Sequence, residues 1–266
     1  MKFIKLTWYS LVDRKTSLLV WILIWIFLSI VLANFFRGFT SQSELDQALQ
    51  SLPETLRGAF NISNGFFTQV ESFVAAQFLT LHVLAGILFG LFMGVRTVAG
   101  RVESGYMETL LSEQVSRFVL LITNHISTII FWLVAGIITW SLVPGIFLLF
   151  SGQESVAPEF FVYAMLGTFV TQMFGYGLGV MLGSVFSPQV SQGIGGAYIG
   201  IGWLLDGMRS IEGYPEWMEP TTPFYYFDTA LLRDEYTLDW KLTAILTLVG
   251  FAMFVVGLAF FEKKDV

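Results

Sequence analysis

The chain has 266 residues, of which 55% are apolar, 13% charged and 17% aromatic, with 27 Phe. Soluble domains carry about a quarter charged residues and cannot hide this much apolar surface, so a soluble enzyme is excluded. A net charge of −6 speaks against nucleic-acid binding, and the absence of Cys removes disulfides, thiolate metal sites and thiol catalysis.

An integral membrane protein remains, and one without staples fits a bacterial inner membrane. A helix crosses the hydrocarbon with roughly 20 apolar residues. Residues 1–15 precede any such stretch. There Ile4, Trp8, Leu11 and Val12 recur at helical spacing while Lys2, Lys5 and Asp13 take the other side. That pattern predicts an amphipathic helix lying in the membrane interface.

The first span is 17–36. It is too long for a signal peptide and lacks a small-x-small cleavage site, so it reads as a retained helix. An outer loop follows at 38–71, with helix starts at Ser43 and Pro53. Its Asn61-Ile62-Ser63 matches a glycosylation acceptor, a pattern common by chance. The second span is 72–95, the third 118–143 and the fourth 160–186, with a short outer loop between the third and fourth that begins near Pro144. The fifth, 190–208, is glycine-rich and the least regular. An acidic, aromatic outer loop follows at 209–240, and its Tyr214, Trp217, Phe224, Tyr225, Tyr226 and Phe227 are expected as an interfacial belt. The sixth span is 242–261.

Lys and Arg in short loops set orientation. With the N-terminus inside, the inner segments hold nine cations and six acids, while the outer ones hold five cations and fourteen acids. Six spans return the C-terminus to the cytoplasm. The expected fold is all-α: a single domain of six transmembrane helices with an N-terminal interfacial helix.

The inner segment 97–116, between spans two and three, is the most informative. With its bracketing Arg96 and Arg117 it holds three acids and three Arg, while the flanking helices are nearly uncharged. Met107, Leu110 and Leu111 share one helical face and Glu108 another, with Glu103 one turn earlier. Gly105 permits a sharp turn. A short helix lying flat under the membrane is expected, and a solvated connector is the plainer alternative.

Small residues repeat every four positions at Gly86, Gly90 and Gly94, at Gly175, Gly179 and Gly183, and at Gly196 and Gly200. Such rows let helices approach closely in lipid. For any one pair, static packing within a subunit is the plainer reading than a sliding contact. Polar residues inside the spans are Gln77, His82, Asn124, His125 and Gln172. Of these Gln77, His82 and Gln172 are candidates for a transport pathway. The two His differ in depth by roughly 9 Å at about 1.5 Å per residue, so one haem iron cannot use both within a subunit. No nucleophile elbow, zinc His pair or intramembrane Asp pair occurs.

Three stretches together resemble ABC-2-type ABC transporter permeases. Glu103-Ser104-Gly105-Tyr106-Met107-Glu108-Thr109-Leu110-Leu111-Ser112, with Val115-Ser116-Arg117, is similar to the segment by which those permeases couple to their ATPase. Thr222-Pro223-Phe224-Tyr225-Tyr226 resembles their S-P-F-x-Y motif, and Phe261-Glu262-Lys263-Lys264-Asp265-Val266 resembles their ending. The chain departs from the pattern at Arg101, Val102, Tyr106 and Gln114. The resemblance implies the transmembrane subunit of an ATP-driven exporter, paired with a second permease subunit in a homodimer or heterodimer. A separate ABC ATP-binding subunit would dock on a coupling helix that includes Glu103, Gly105, Met107, Glu108, Leu110, Leu111 and Arg117. ATP and Mg would sit on that partner, since this chain has no phosphate loop and no Gly-Lys pair. No catalytic residue, metal or nucleic-acid partner is expected. An aromatic, uncharged interior favours a hydrophobic or amphipathic cargo such as an antibiotic, antimicrobial peptide or lipid-like molecule. Two alternatives are a membrane anchor or sensor that recruits a soluble partner without transport, and an ATP-driven sodium exporter.

Overall fold

The computed structural model describes residues 2–39, 51–53, 69–105, 115–209, 211 and 213–263. Among them the elements are helical, with no strand. A short helix α1 (Lys2–Asp13) turns at Arg14 into α2 (Lys15–Phe39). Next come α3 (Val70–Glu103) and α4 (Arg117–Phe150). They are followed by α5 (Pro158–Val185), α6 (Pro188–Gly207), α7 (Thr229–Glu235) and α8 (Trp240–Lys263).

Among the described residues five helices are long and apolar enough to cross a membrane: α2, α3, α4, α5 and α8. Helix α6 has 20 residues but is diluted by glycines and by Gln189, Ser191 and Gln192, and falls outside that set. The exposed surface is greasy: Leu23, Phe27, Ile137, Leu149, Leu248 and Phe251 all face outward. Apolar side chains outside and small polar ones inside is the arrangement a bilayer solvent selects.

Two helices form the centre. In the most apolar part of α3 and of α5, 61% of residues are buried, against 28% in α2 and α8. Helices α3, α5 and α8 run parallel, and α5 is the hub that touches both others. The predicted glycine rows explain the α3–α5 contact, because they face each other. A Cβ on Gly94 would meet the backbone N of Val180 at 2.7 Å, and one on Gly179 would meet the Cα of Gly94 at 3.0 Å. Gly90 and Gly175 are equally tight against backbone carbonyls of Gln172 and Ile87, and Gly183 lies against Val95. Gly86 makes room for the Gln172 side chain instead. Lipid gives helices no hydrophobic reason to associate, so close backbone contact supplies the attraction. These two rows therefore serve packing inside one chain.

The third row does not. A Cβ placed on Gly196 or Gly200 would meet nothing within 4 Å among the described residues, so neither glycine packs against a neighbour there. In their place Gly177, Gly250 and Gly257 join α5 to α8, with Gly250 against the Cα of Phe174 and Gly257 against the backbone N of Met181, each at 2.9 Å.

Two further expectations need correction. The third span does not stop near Pro144. Helix α4 continues to Phe150 although Pro144 removes the N–H that would bond the Trp140 carbonyl. Phe147 holds the extra turns in place, buried against Phe36 and Phe73. The aromatic outer loop is only partly a belt. Trp217 is 71% exposed, but Phe224 and Phe227 are core residues. Phe227 fills the space left by Gly167, and Thr222 and Pro223 lie against Gly202. The turn Pro223–Tyr226 is a 3-10 helix whose start the Thr222 hydroxyl caps, accepting from the N–H of Tyr225. The Ser43 helix start, Asn61 and most of the first outer loop lie outside the described residues.

Candidate functional site

One end of the bundle, here called proximal, gathers the corner of α1 and α2, the ends of α3, α5 and α8, and the starts of α4 and α6. Helix α1 lies against α4 through small polar side chains rather than apolar ones. Ser10 donates to the Asn124 amide oxygen at 2.8 Å, and the Ser127 hydroxyl donates to the Thr7 carbonyl at 3.0 Å. Arg14, at the corner between α1 and α2, donates to Thr128, to Asn124 at 3.2 Å and to Thr97 of α3 at 3.4 Å. The predicted apolar face of α1 looks away from the bundle, with Ile4 and Trp8 exposed. Arg14 is thus a structural pin among three helices, where charge counting makes it only an orientation mark.

Helix α3 reaches the proximal end by an unexpected route. The segment expected to lie flat from residue 97 begins as a continuation of α3. A π-helical turn, Arg96–Gly100, and one α-turn, Arg101–Glu103, extend the helix. Thr97, Val98 and Ala99 are buried, which keeps this stretch in the bundle. The helix then stops at Gly105, whose φ of +69° is left-handed and whose N–H bonds the Val102 carbonyl. Of the seven expected coupling residues, Glu103, Gly105 and Arg117 are described. Met107, Glu108, Leu110 and Leu111 lie outside the described residues.

Glu103 accepts from the side-chain amide of Gln189, in the first turn of α6, at 3.2 Å. Arg117 opens α4, behind Ser116, whose hydroxyl caps the helix by accepting from the N–H of Val119. Its guanidinium donates to the carbonyls of Phe261 and Glu262 at 3.1 and 3.3 Å and lies 5.6 Å from the Phe261 ring centroid. A cation on the last carbonyls of a helix also meets the negative end of its dipole. So the start of α4 grips the end of α8, and two stretches 144 residues apart in sequence meet in space.

Between α1, the end of α3 and the start of α4 lies a cleft of about 890 Å³, lined by Tyr9, Asp13, Arg96, Arg101, Gly105 and Asn124 among others. A smaller void of about 140 Å³ adjoins it and shares Asp13, Arg96 and Arg101.

The intramembrane polar residues separate into two groups. His82 and Gln172 are brought together across α3 and α5, with His82 Nε2 3.2 Å from the Gln172 amide nitrogen. The contact joins the two polar side chains, and its direction follows the imidazole tautomer. His82 is 1% exposed and sits within a box of Trp21, Trp25, Phe78 and Trp140, with ring centroids 4.3–5.7 Å away. The pair is packed and lines neither of the two voids. Gln77 lies in a second π-helical stretch, Val74–Leu79, and is half-buried. His125 stacks on Phe254 at 4.0 Å and tilts against Tyr176, joining α4, α5 and α8 as a packing residue.

Helices of this length and outward greasiness, around a centre of interlocked glycines, define a multi-pass membrane protein. The family model for ABC-2 family transporter proteins matches residues 6–266, so the chain belongs to that family, whose members are permeases of ABC transporters. No curated protein matches the chain at a significant level.

Proposed function

We propose that this chain is the membrane subunit of an ATP-driven exporter, powered by a separate ATP-binding subunit that docks at the proximal end. The observation that carries the reading is the family match over residues 6–266. In this reading the proximal end faces the cytoplasm of a bacterial cell, and both termini lie there. Helix α6 makes the sixth crossing, with Gln189 at the proximal end and Tyr198 bonded to the Thr221 carbonyl further along. Helix α1 rests in the interface with Ile4 and Trp8 toward lipid.

Docking falls on the segment from Arg96 to Arg117. Glu103 and Glu108 meet polar or basic groups of the ATPase, while Met107, Leu110 and Leu111 fill a groove. The contacts around the segment define what a pull on it would move. Helix α3 is locked to α5 by backbone contact, so the two travel as one body. Helix α4 is tied to α8 through Arg117. ATP, with Mg, acts only through states that its binding favours unequally. Two permease subunits form the working unit. The apolar, aromatic interior suits a hydrophobic or amphipathic cargo.

The test is co-purification with an ABC ATP-binding subunit from a neighbouring reading frame, if one is encoded there, followed by ATP turnover in lipid nanodiscs. Glu108→Lys should lower assembly or uncouple turnover from transport. Unchanged assembly, turnover and transport in that variant would refute the docking role.

A further inference from the structure

Around His82 several buried polar atoms have no hydrogen-bond partner among the described residues: Trp25 Nε1 on α2, His82 Nδ1 on α3, and Trp132 Nε1 and Thr139 Oγ1 on α4. The rings of Trp25, His82 and Trp132 all pack on Trp21, with centroids 5.5, 5.5 and 5.1 Å away. Thr139 follows Trp132 by about two turns on the same face of α4. Trp140 shows the contrast, since its indole N–H donates to the Thr168 hydroxyl at 3.1 Å.

An indole N–H donates and does not accept, so Trp25 and Trp132 each need an acceptor. At membrane depth lipid chains supply none, and a buried donor left alone costs free energy. The rings that pack on Trp21 and His82 are Trp25, Phe78, Phe89, Trp132 and Trp140, with no carboxylate, ammonium or guanidinium among them. An anion there would have no counter-cation, and a cation would face donors. The chemistry fits a neutral oxygen. The seam is also able to part. Helices α3, α5 and α8 meet through backbone against glycine, whereas α2 meets α3 and α4 here through rings. A ring swings about its side-chain torsions, and packed backbone does not. Trp21 is 8% exposed and Phe89 is half-buried, so the lip of the seam reaches the greasy outer surface of the bundle.

We infer that this seam, between α2 and the facing sides of α3 and α4, binds neutral oxygen acceptors at membrane depth, either water or the ester and hydroxyl oxygens of an uncharged amphiphile. The Trp25 and Trp132 indoles donate to them beside His82 Nδ1. Trp21, Phe78 and Phe89 pack on the apolar part of an amphiphile. Such a site, apolar walls with a few placed donors, is the usual make-up of a small-molecule pocket. The inference needs the folded chain in a bilayer and does not depend on an ATPase.

The experiment uses the full-length chain with isotope-labelled tryptophan in phosphatidylcholine nanodiscs, read by nuclear magnetic resonance. Trp25→Phe and Trp132→Phe assign the two indole N–H signals. In the wild-type chain both should lie downfield, where hydrogen-bonded indoles resonate. Magnetisation transfer from water to these signals identifies water as the acceptor. Dioctanoylglycerol, neutral and bearing ester and hydroxyl oxygens, is the amphiphile probe. A saturable shift of both signals, with loss of any water transfer, identifies the amphiphile. Dioctanoyl phosphatidic acid, whose charge keeps its esters at the interface, should give neither effect. The Trp140 signal, already bonded to Thr168, should not respond to the probe. Two signals at the position of an unbonded indole, with no water transfer and no response to dioctanoylglycerol, would overturn the site. An equal response at Trp140 would overturn it too, and an equal shift with dioctanoyl phosphatidic acid would overturn the preference for neutral acceptors.

Discussion

The carboxylate of Glu71 accepts the backbone N–H of Ala157. The beginning of α3 thereby caps the beginning of α5, far from the proximal end. Glu71 is 9% exposed, and Ala157 is the cap residue in front of Pro158. A buried carboxylate is acceptable there because the start of a helix presents unbonded N–H groups and positive dipole. Together with the glycine contacts, this bond fixes α3 against α5 over their whole shared length.

Glu71→Ala leaves that N–H unsatisfied. It should cost about 1–3 kcal/mol and expose the 151–157 connection to protease, whereas Glu71→Gln keeps an acceptor oxygen and loses less. Limited proteolysis with a parallel thermal melt measures both. Equal protection of all three proteins would contradict the cap.

The glycine rows predict opposite outcomes for the same chemical change. Gly94→Ala and Gly179→Ala drive a methyl into backbone that cannot yield, at a cost of roughly 1–3 kcal/mol or more. Gly196→Ala and Gly200→Ala meet open space and gain helix propensity, so the isolated chain should be unchanged or firmer by about 0.5–1 kcal/mol. Denaturation of the four variants in one detergent decides the matter. A loss at Gly200 equal to that at Gly94 would contradict the assignment.

Replacing Gln172 by Leu removes the partner of His82 Nε2. The loss should be about 1–3 kcal/mol, because a buried ring nitrogen is then left without its partner. Changing His82 to Phe as well should recover part of it, giving a coupling of roughly 0.5–1.5 kcal/mol in a double-mutant cycle. Trp21 and Trp25 ring His82, so tryptophan emission follows the same variants. Strict additivity would show that the two side chains do not act as a pair.

Arg117→Ala frees the last turn of α8. A loss of about 1 kcal/mol should lower the melting midpoint by roughly 2–4 °C. Faster proteolytic trimming near Phe261 should accompany it. Arg117→Lys keeps the charge near the helix end and should fall between the two. An unaltered melt in the alanine variant would return Arg117 to a purely external role.

Much of this is legible in the chain itself, for stated reasons. The rows at Gly86 and Gly175 stand out because a four-residue repeat of glycine on an apolar helix has one main use. That the two rows face each other is a tertiary fact that neither row contains. Gly250 and Gly257 are seven apart, two turns on one face, and that spacing marks a close contact such as the one with α5. The α6 row shows the same repeat without a neighbour among the described residues, so the repeat alone does not name its partner. Arg14 is opaque for a different reason. Its acceptors come from Thr97, Asn124 and Thr128 on two other helices, and a count of loop cations cannot see convergence. The start of the flat coupling helix is hard to place from sequence because Thr97, Val98 and Ala99 suit a buried helix as well as an interfacial one.

The π-turn at Arg96–Gly100 carries a consequence for anyone aligning relatives of this chain. It stores one surplus residue, so everything after it is swung by about 100° from where an unbroken α-helical wheel would aim it. Glu103, which bonds Gln189, lies beyond that offset. Deleting a single residue there would heal the wheel, spare the glycine fit above it and point the acid elsewhere, so a one-position gap in this stretch changes what the helix tip can touch.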